Sequence, residues 1–204
     1  MDSLFNGRSE MTYRTFRAFA VAALTALLVD AHAMGQDAAA PRSPLEAHFA
    51  HMLHGSGRWR TPNEDADPAD PNAMTQYGAD YRLSPDRSHV IAEVTGVTED
   101  GRRAVFWTIY LFYNPVTQEI VSAQIGWNGA YLSGHEAVQL DGFDIGDVQV
   151  FDQIHHNPDG TMSINRHEII PVDAQTHSTQ TYDRAEDGSW RPRNFRIWTL
   201  VPEE

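Results

Sequence analysis

The sequence predicts an all-β fold: an antiparallel up-and-down β-barrel of about ten strands with a short N-terminal helix. Three observations carry this. From residue 57 onward, short runs rich in β-branched and aromatic residues alternate with turn signals. The connections are short, which forces neighbours in sequence to pair antiparallel. Gly57-Arg58-Trp59-Arg60 opens the series and Arg193-Asn194-Phe195-Arg196-Ile197-Trp198 ends it, as the first and last strands of a closed sheet would. A meander of this many strands curls, and closure removes its exposed edges.

The bulk composition sets limits on function. The chain has 204 residues, 41% hydrophobic and 21% charged, enough for one domain with a sizeable core. It has no Cys, which excludes disulfides, thiolate metal sites and lipid-modified cysteine anchors. The formal charge is −13 and every basic side chain apart from His is Arg. A strongly acidic surface repels phosphate backbones and anionic bilayers, so no nucleic-acid partner is expected.

Residues 1–33 read as a secretory signal peptide. Arg14 and Arg17 precede an apolar run from Ala18 to Val29, and Ala31-His32-Ala33 supplies a small-x-small cleavage pattern. Twelve helical residues span roughly 18 Å, short of the roughly 30 Å hydrocarbon core. Cleavage after Ala33 is therefore preferred to a retained anchor, and no membrane attachment is expected once it has occurred. Met1 and Met11 are both candidate starts. Loss of residues 1–33 removes Asp2, Glu10 and Asp30 together with Arg8, Arg14 and Arg17, so the charge stays at −13. Residues 34–42 form an Ala/Pro-rich linker, and the barrel domain occupies 43–204. The expected location is periplasmic or secreted.

Within that domain, Ser43-Pro44-Leu45-Glu46 is a helix start with a capping box, and Leu45, Phe49 and Met52 share one face of about ten helical residues ending at Gly55. An acidic, Pro-rich loop covers 61–73. Strands are predicted at 76–83, 89–98, 103–113, 119–127, 130–140, 143–155, 161–170, 176–183 and 193–201, with Asn128-Gly129 a strong two-residue hairpin signal.

A short helix, Gly57-x-Trp59 on the first strand, a meander and an Arg on the last strand together resemble the calycin group, the lipocalins, fatty-acid-binding proteins and their bacterial relatives. The resemblance covers residues 43–201, and the strand count favours the ten-stranded relatives. It implies that Arg193 or Arg196 covers Trp59 and closes one barrel end, a role for Gly57, Trp59, Arg193 and Arg196 in fold rather than ligand binding. Some relatives bind haem or fatty acids. The last strand holds no His to mirror the haem-ligating position, and no cofactor is expected.

Ligand-binding candidates come from strand parity, since successive side chains face opposite sides. In 162–170 the more apolar parity holds Met162, Ile164, Arg166, Glu168 and Ile170, which places Arg166 and Glu168 inside. An interior Arg binds a carboxylate bidentately. Glu136 shares the apolar parity of 132–140, either as a partner for Arg166, as an acid–base group with a raised pKa, or as an edge-exposed carboxylate. Trp107 joins this candidate set. Both parities of 103–113 are apolar, so an association between two copies or a helix packed outside is expected to cover the strand. His48, His51 and His54 form a stripe and His155-His156 point to opposite faces; neither is a zinc spacing, and no metal is expected.

Three functions compete. The first is an exported barrel that binds a small apolar or amphipathic ligand, with a carboxylate as one candidate. The second is a structural barrel that self-associates through a Phe106/Tyr110 face. The third is an isomerase or hydrolase using Glu136, Glu168 or a His, for which no sequence motif speaks.

Overall fold

A computed structural model describes residues 42–203. The signal-peptide reading of 1–33 and all of the 34–42 linker except Arg42 lie outside the described residues. Ten antiparallel strands close into a barrel: β1 (Arg58–Pro62), β2 (Met74–Leu83), β3 (His89–Thr98), β4 (Arg103–Asn114), β5 (Glu119–Gly126), β6 (Tyr131–Ala137), β7 (Gln149–His156), β8 (Met162–Asp173), β9 (Thr176–Arg184) and β10 (Trp190–Leu200). Each strand pairs with its sequence neighbour, and β1 pairs with β10 through Trp59 opposite Leu200 and Arg60 opposite Thr199. The seam joins the first and last strands as expected, but through Thr199 and Leu200, just beyond the expected Arg193–Trp198 stretch.

Among the described residues, one helix, α1 (Pro44–His48), precedes the barrel. The capping box forms: the Ser43 hydroxyl accepts from Glu46 N–H at 3.2 Å, and the Glu46 carboxylate accepts from Ser43 N–H at 2.9 Å. The helix is half the expected length. After Phe49 the backbone continues in looser turns, with Ala50 N–H on Ala47 O and His54 N–H on His51 O. These turns let Leu45, Phe49 and Met52 all enter the barrel end, against Val90, Leu111, Ile120, Phe151 and Ile169. α1 therefore plugs the barrel rather than packing outside β4. Gly57 then turns the chain into β1. Its φ is +63°, and a Cβ there would collide with the Tyr81 carbonyl oxygen, so the position requires glycine.

Strand 143–155 begins later than predicted. Residues 138–148 form a loop held by Asp144 N–H on the Asp147 carboxylate (2.8 Å) and Gly146 N–H on Pro171 O (2.8 Å). The loop folds over the plugged end, where Phe143 lies edge-on to His48 at 5.0 Å.

Two expectations about side-chain placement are overturned. Trp59 is not covered by an Arg. Its indole is fully buried between His177 (4.4 Å between centroids) and His51 (4.9 Å), and its N–H donates to Met52 O at 3.0 Å. Arg196 lies instead over the Tyr77 ring at 4.4 Å, and Arg193 sits at the β9–β10 register shift beside Asp183 at 3.4 Å. A neutral imidazole packs on a buried indole without desolvating a guanidinium, which is why His displaces Arg there. The parity of β8 is also opposite to expectation. Asn165, His167 and Ile169 face inward, while Arg166 and Glu168 face out. Leaving Ile164 44% exposed costs less than burying two charges.

Candidate functional site

The barrel encloses a cavity of about 300 Å³. Its floor is apolar, made by Phe49 and Met52 of the plug with Leu111, Phe151 and Ile169 of the strands. Its upper wall is polar. Gln124 (β5), Gln153 and His155 (β7), Asn165 and His167 (β8) and Thr181 (β9) all point in, because inward positions recur every second residue. β10 adds Arg193 and Arg196.

The charge balance of this wall opposes that of the whole molecule. None of the described residues lining the cavity is Asp or Glu, although the chain carries 28 acids. Arg196 makes no ion pair among the described residues; its plane rests on Tyr77. Burial disfavours the charged form of the wall imidazoles. Burial pulls His167 down to about 4, with the Arg193 charge adding to it. Burial pulls His177 down to about 3, helped by His51 and His167. His155 is lowered by burial and then by Arg193. His167 Nδ1 meets the Thr181 hydroxyl at 3.0 Å.

Of the residues read from sequence as ligand-binding, only Trp107 lines the cavity. Arg166 lies on the outer face, forked onto Asp152 at 2.7 and 2.9 Å and stacked on Trp190 at 4.6 Å. The Arg166 hydrogen bond holds the Asp152 carboxyl below its usual range. Glu168, also outside, accepts from the Tyr182 hydroxyl at 3.1 Å. Neither can hold a ligand in the cavity, and no Glu136–Arg166 bridge forms.

Glu136 is inside but committed. At the plugged end its Oε1 accepts from His48 Nε2 at 2.8 Å and from the Gln149 amide at 2.7 Å. His48 Nδ1 accepts from Gln139 N–H at 3.0 Å, which fixes the proton on Nε2. This chain of bonds ties α1 to the barrel. Glu136→Ala leaves two buried donors unpaired and is expected to cost about 3 kcal/mol of stability; a urea midpoint unchanged from the parent would refute that role.

Sequence reasoning missed Gln153, His155, Asn165 and His167 as wall residues. One signal was present: amide and imidazole side chains on the same parity of two adjacent strands, where strand propensity is poor. His155 and His156 do point to opposite faces, His155 toward Trp107 and His156 toward Tyr131. No family model matches the chain, and no curated protein matches it.

Proposed function

We propose that this chain is an exported, calycin-like binding barrel that holds a small amphipathic carboxylate in its cavity. One observation carries the reading: in a molecule of formal charge −13 the described residues lining the cavity include no Asp or Glu and include Arg196, which has no ion pair among them, above an apolar floor, with Arg193 beside Asp183. A carboxylate head beside the half-buried Arg196 gains charge-assisted hydrogen bonds, and an apolar tail fits against Leu111 and Phe151. The role first given to Arg166 thus passes to Arg196. A pocket of this size suits a compact ligand. The calycin likeness rests on Gly57-x-Trp59 and the meander.

Native mass spectrometry of the exported protein and fluorescence titration with medium-chain carboxylates test the reading. Arg196→Gln is expected to weaken carboxylate binding by about tenfold or more, the equivalent of one charged hydrogen bond. Equal binding of a carboxylate and its neutral primary amide would sink the proposal. Export is tested by N-terminal sequencing, with a mature chain beginning near Met34 as the expected result.

One further observation favours self-association alongside binding. On the outer face Phe112 lies opposite Val121, and these are 40% and 37% exposed beside Ile125 and Tyr110. Phe106 does not extend this face, because the register shift after Val94 packs it against Gly96 and Tyr77. Light scattering across a concentration series decides between monomer and dimer.

A further inference from the structure

Gln153 is only 8% exposed as a residue, and its amide opens onto the cavity without a hydrogen bond to any described residue. Two residues along β7, His155 Nε2 is buried and likewise without a partner. Buried polar groups are nearly always satisfied, so an unpaired buried imidazole nitrogen beside a cavity-facing amide with no protein partner marks a place where something polar belongs. The local backbone makes room for them. Gly134 of β6 lies directly across from Gln153, and a Cβ there would stand 2.6 Å from Asp152 O and 3.1 Å from Gln153 Cγ. Asn165, on the other flank, is already engaged with Ser163 and Asp183.

Gln153 stands apart from Arg196, while the Arg193 charge reaches His155. β7 and β10 are three places apart around the ring, about 14 Å along the sheet at roughly 4.8 Å per strand. A ligand that spans the lumen between Arg196 and Gln153 needs a polar group at each end. An amide both donates and accepts, and a neutral imidazole nitrogen does one or the other; a hydroxyl answers all of these.

We propose that Gln153 and His155 form a second polar subsite that selects carboxylates bearing a hydroxyl remote from the carboxyl group. This rests on the anion-binding reading above and adds a substrate class to it. A site built to hydrogen-bond a hydroxyl discriminates strongly against the analogue that lacks it, because the protein groups are then left buried and unpaired.

The test uses two matched pairs, phenylacetate with 4-hydroxyphenylacetate and octanoate with 8-hydroxyoctanoate, titrated against the intact exported protein by calorimetry. The parent is expected to prefer the hydroxylated member of at least one pair by about tenfold or more. In Gln153→Met, close in shape but without the amide, that ratio should collapse to about one. His155→Phe supplies an independent removal of the subsite should Gln153→Met fail to fold, and should reduce the ratio. Equal affinity of the parent for both members of each pair overturns the second subsite while leaving carboxylate binding intact, provided Arg196→Gln still weakens both. Retention of the full preference in both wall variants also overturns it. Failure of the parent to bind any of the four acids removes the subsite and the anion-binding reading together.

Discussion

Trp59→Ala is expected to destabilise the barrel by about 3–5 kcal/mol, the range for emptying a buried aromatic site. Domains of this kind are stable by only about 5–15 kcal/mol, so the variant should sit near the edge of folding. The argument starts from the seam. β1 and β10 share a short ladder, with Trp59 opposite Leu200 and Arg60 opposite Thr199. A backbone bond from Val201 N–H to Arg58 O at 2.7 Å and a Ser56 hydroxyl on Val201 O extend it slightly. Side-chain packing must therefore hold the barrel shut. Trp59 supplies it, filling the space among Ala79, Trp198 and His177 and tying the α1 turns to the seam through Met52 O. Trp59→Phe keeps the packing of one ring and loses the hydrogen bond and part of the volume, so it should cost less than half as much. Arg196→Ala, by contrast, removes a side chain that stands over Tyr77 at the cavity, and its effect on stability should stay below about 1 kcal/mol. Urea denaturation of the three variants checks the order. A Trp59→Ala loss under about 1 kcal/mol, or an Arg196→Ala loss larger than it, would show that the seam is closed in some other way.

The fold was legible because its signals are local and repeated. Turn residues such as Asn128-Gly129, Asp141-Gly142 and Asp187-Gly188 punctuate the chain, and their glycines adopt the positive φ those turns demand. The segment 143–148 misled because Phe143 and Ile145 look like the start of a strand, whereas the Asp144–Asp147 turn and the Gly146–Pro171 bond hold it as a loop. The site was harder to read for a different reason. Alternation divides a strand into two faces without saying which face looks inward, and apolar content is the usual guide. A barrel with a polar cavity breaks that guide. β7 turns Gln149, Gln153 and His155 in and leaves Val150 and Ile154 outside; β8 turns Asn165 and His167 in and leaves Ile164 outside. Outside, Arg166 and Asp152 neutralise one another across the β7–β8 ladder, a pairing that period-two reasoning on one strand cannot see. The exchange of His for Arg over Trp59 was equally out of reach, since it depends on His51 and His177 meeting from elements more than a hundred residues apart.

The second large effect is acid lability well above the carboxylate range. His177 and His167 are held near 3 and 4, against an ordinary value of 6.5, by burial in both cases. His51 and His155 are lowered as well, again by burial first. The consequence has a definite direction. Above pH 6.5 both folded and unfolded chains carry these rings neutral, and stability is indifferent to them. Below 6.5 the unfolded chain takes up protons that the folded chain refuses, so stability falls with each step of acidification until the folded values are reached. One unit of pH costs about 1.4 kcal/mol for each such ring. At about pH 4.5, His177 alone removes about 2.7 kcal/mol, and His167, whose remaining accessible surface faces the cavity, removes somewhat less. The groups around them do not offset this. Trp59, Trp198 and His51 pack on His177, while Thr181 and the Arg193 charge stand near His167, and no carboxylate is close enough to raise either. The depressed carboxylates, such as Asp80, held down by Arg60 and Arg103 against the opposing effect of burial, contribute stability that is lost only as pH falls below about 4, beneath the range from about pH 7.5 to 4.5 in which the imidazoles are read. Urea midpoints measured from about pH 7.5 to 4.5 should therefore fall steadily below pH 6.5. His177→Phe keeps a ring in the slot, and since His177 Nδ1 has no partner, that nitrogen leaves no broken hydrogen bond behind. It should reduce the slope by close to one proton and raise stability at about pH 4.5 relative to the parent. A parent protein whose midpoint is flat between pH 6.5 and 4.5, or a His177→Phe slope equal to the parent's, would mean that these rings charge freely in the folded state and that the barrel interior admits water and protons around them.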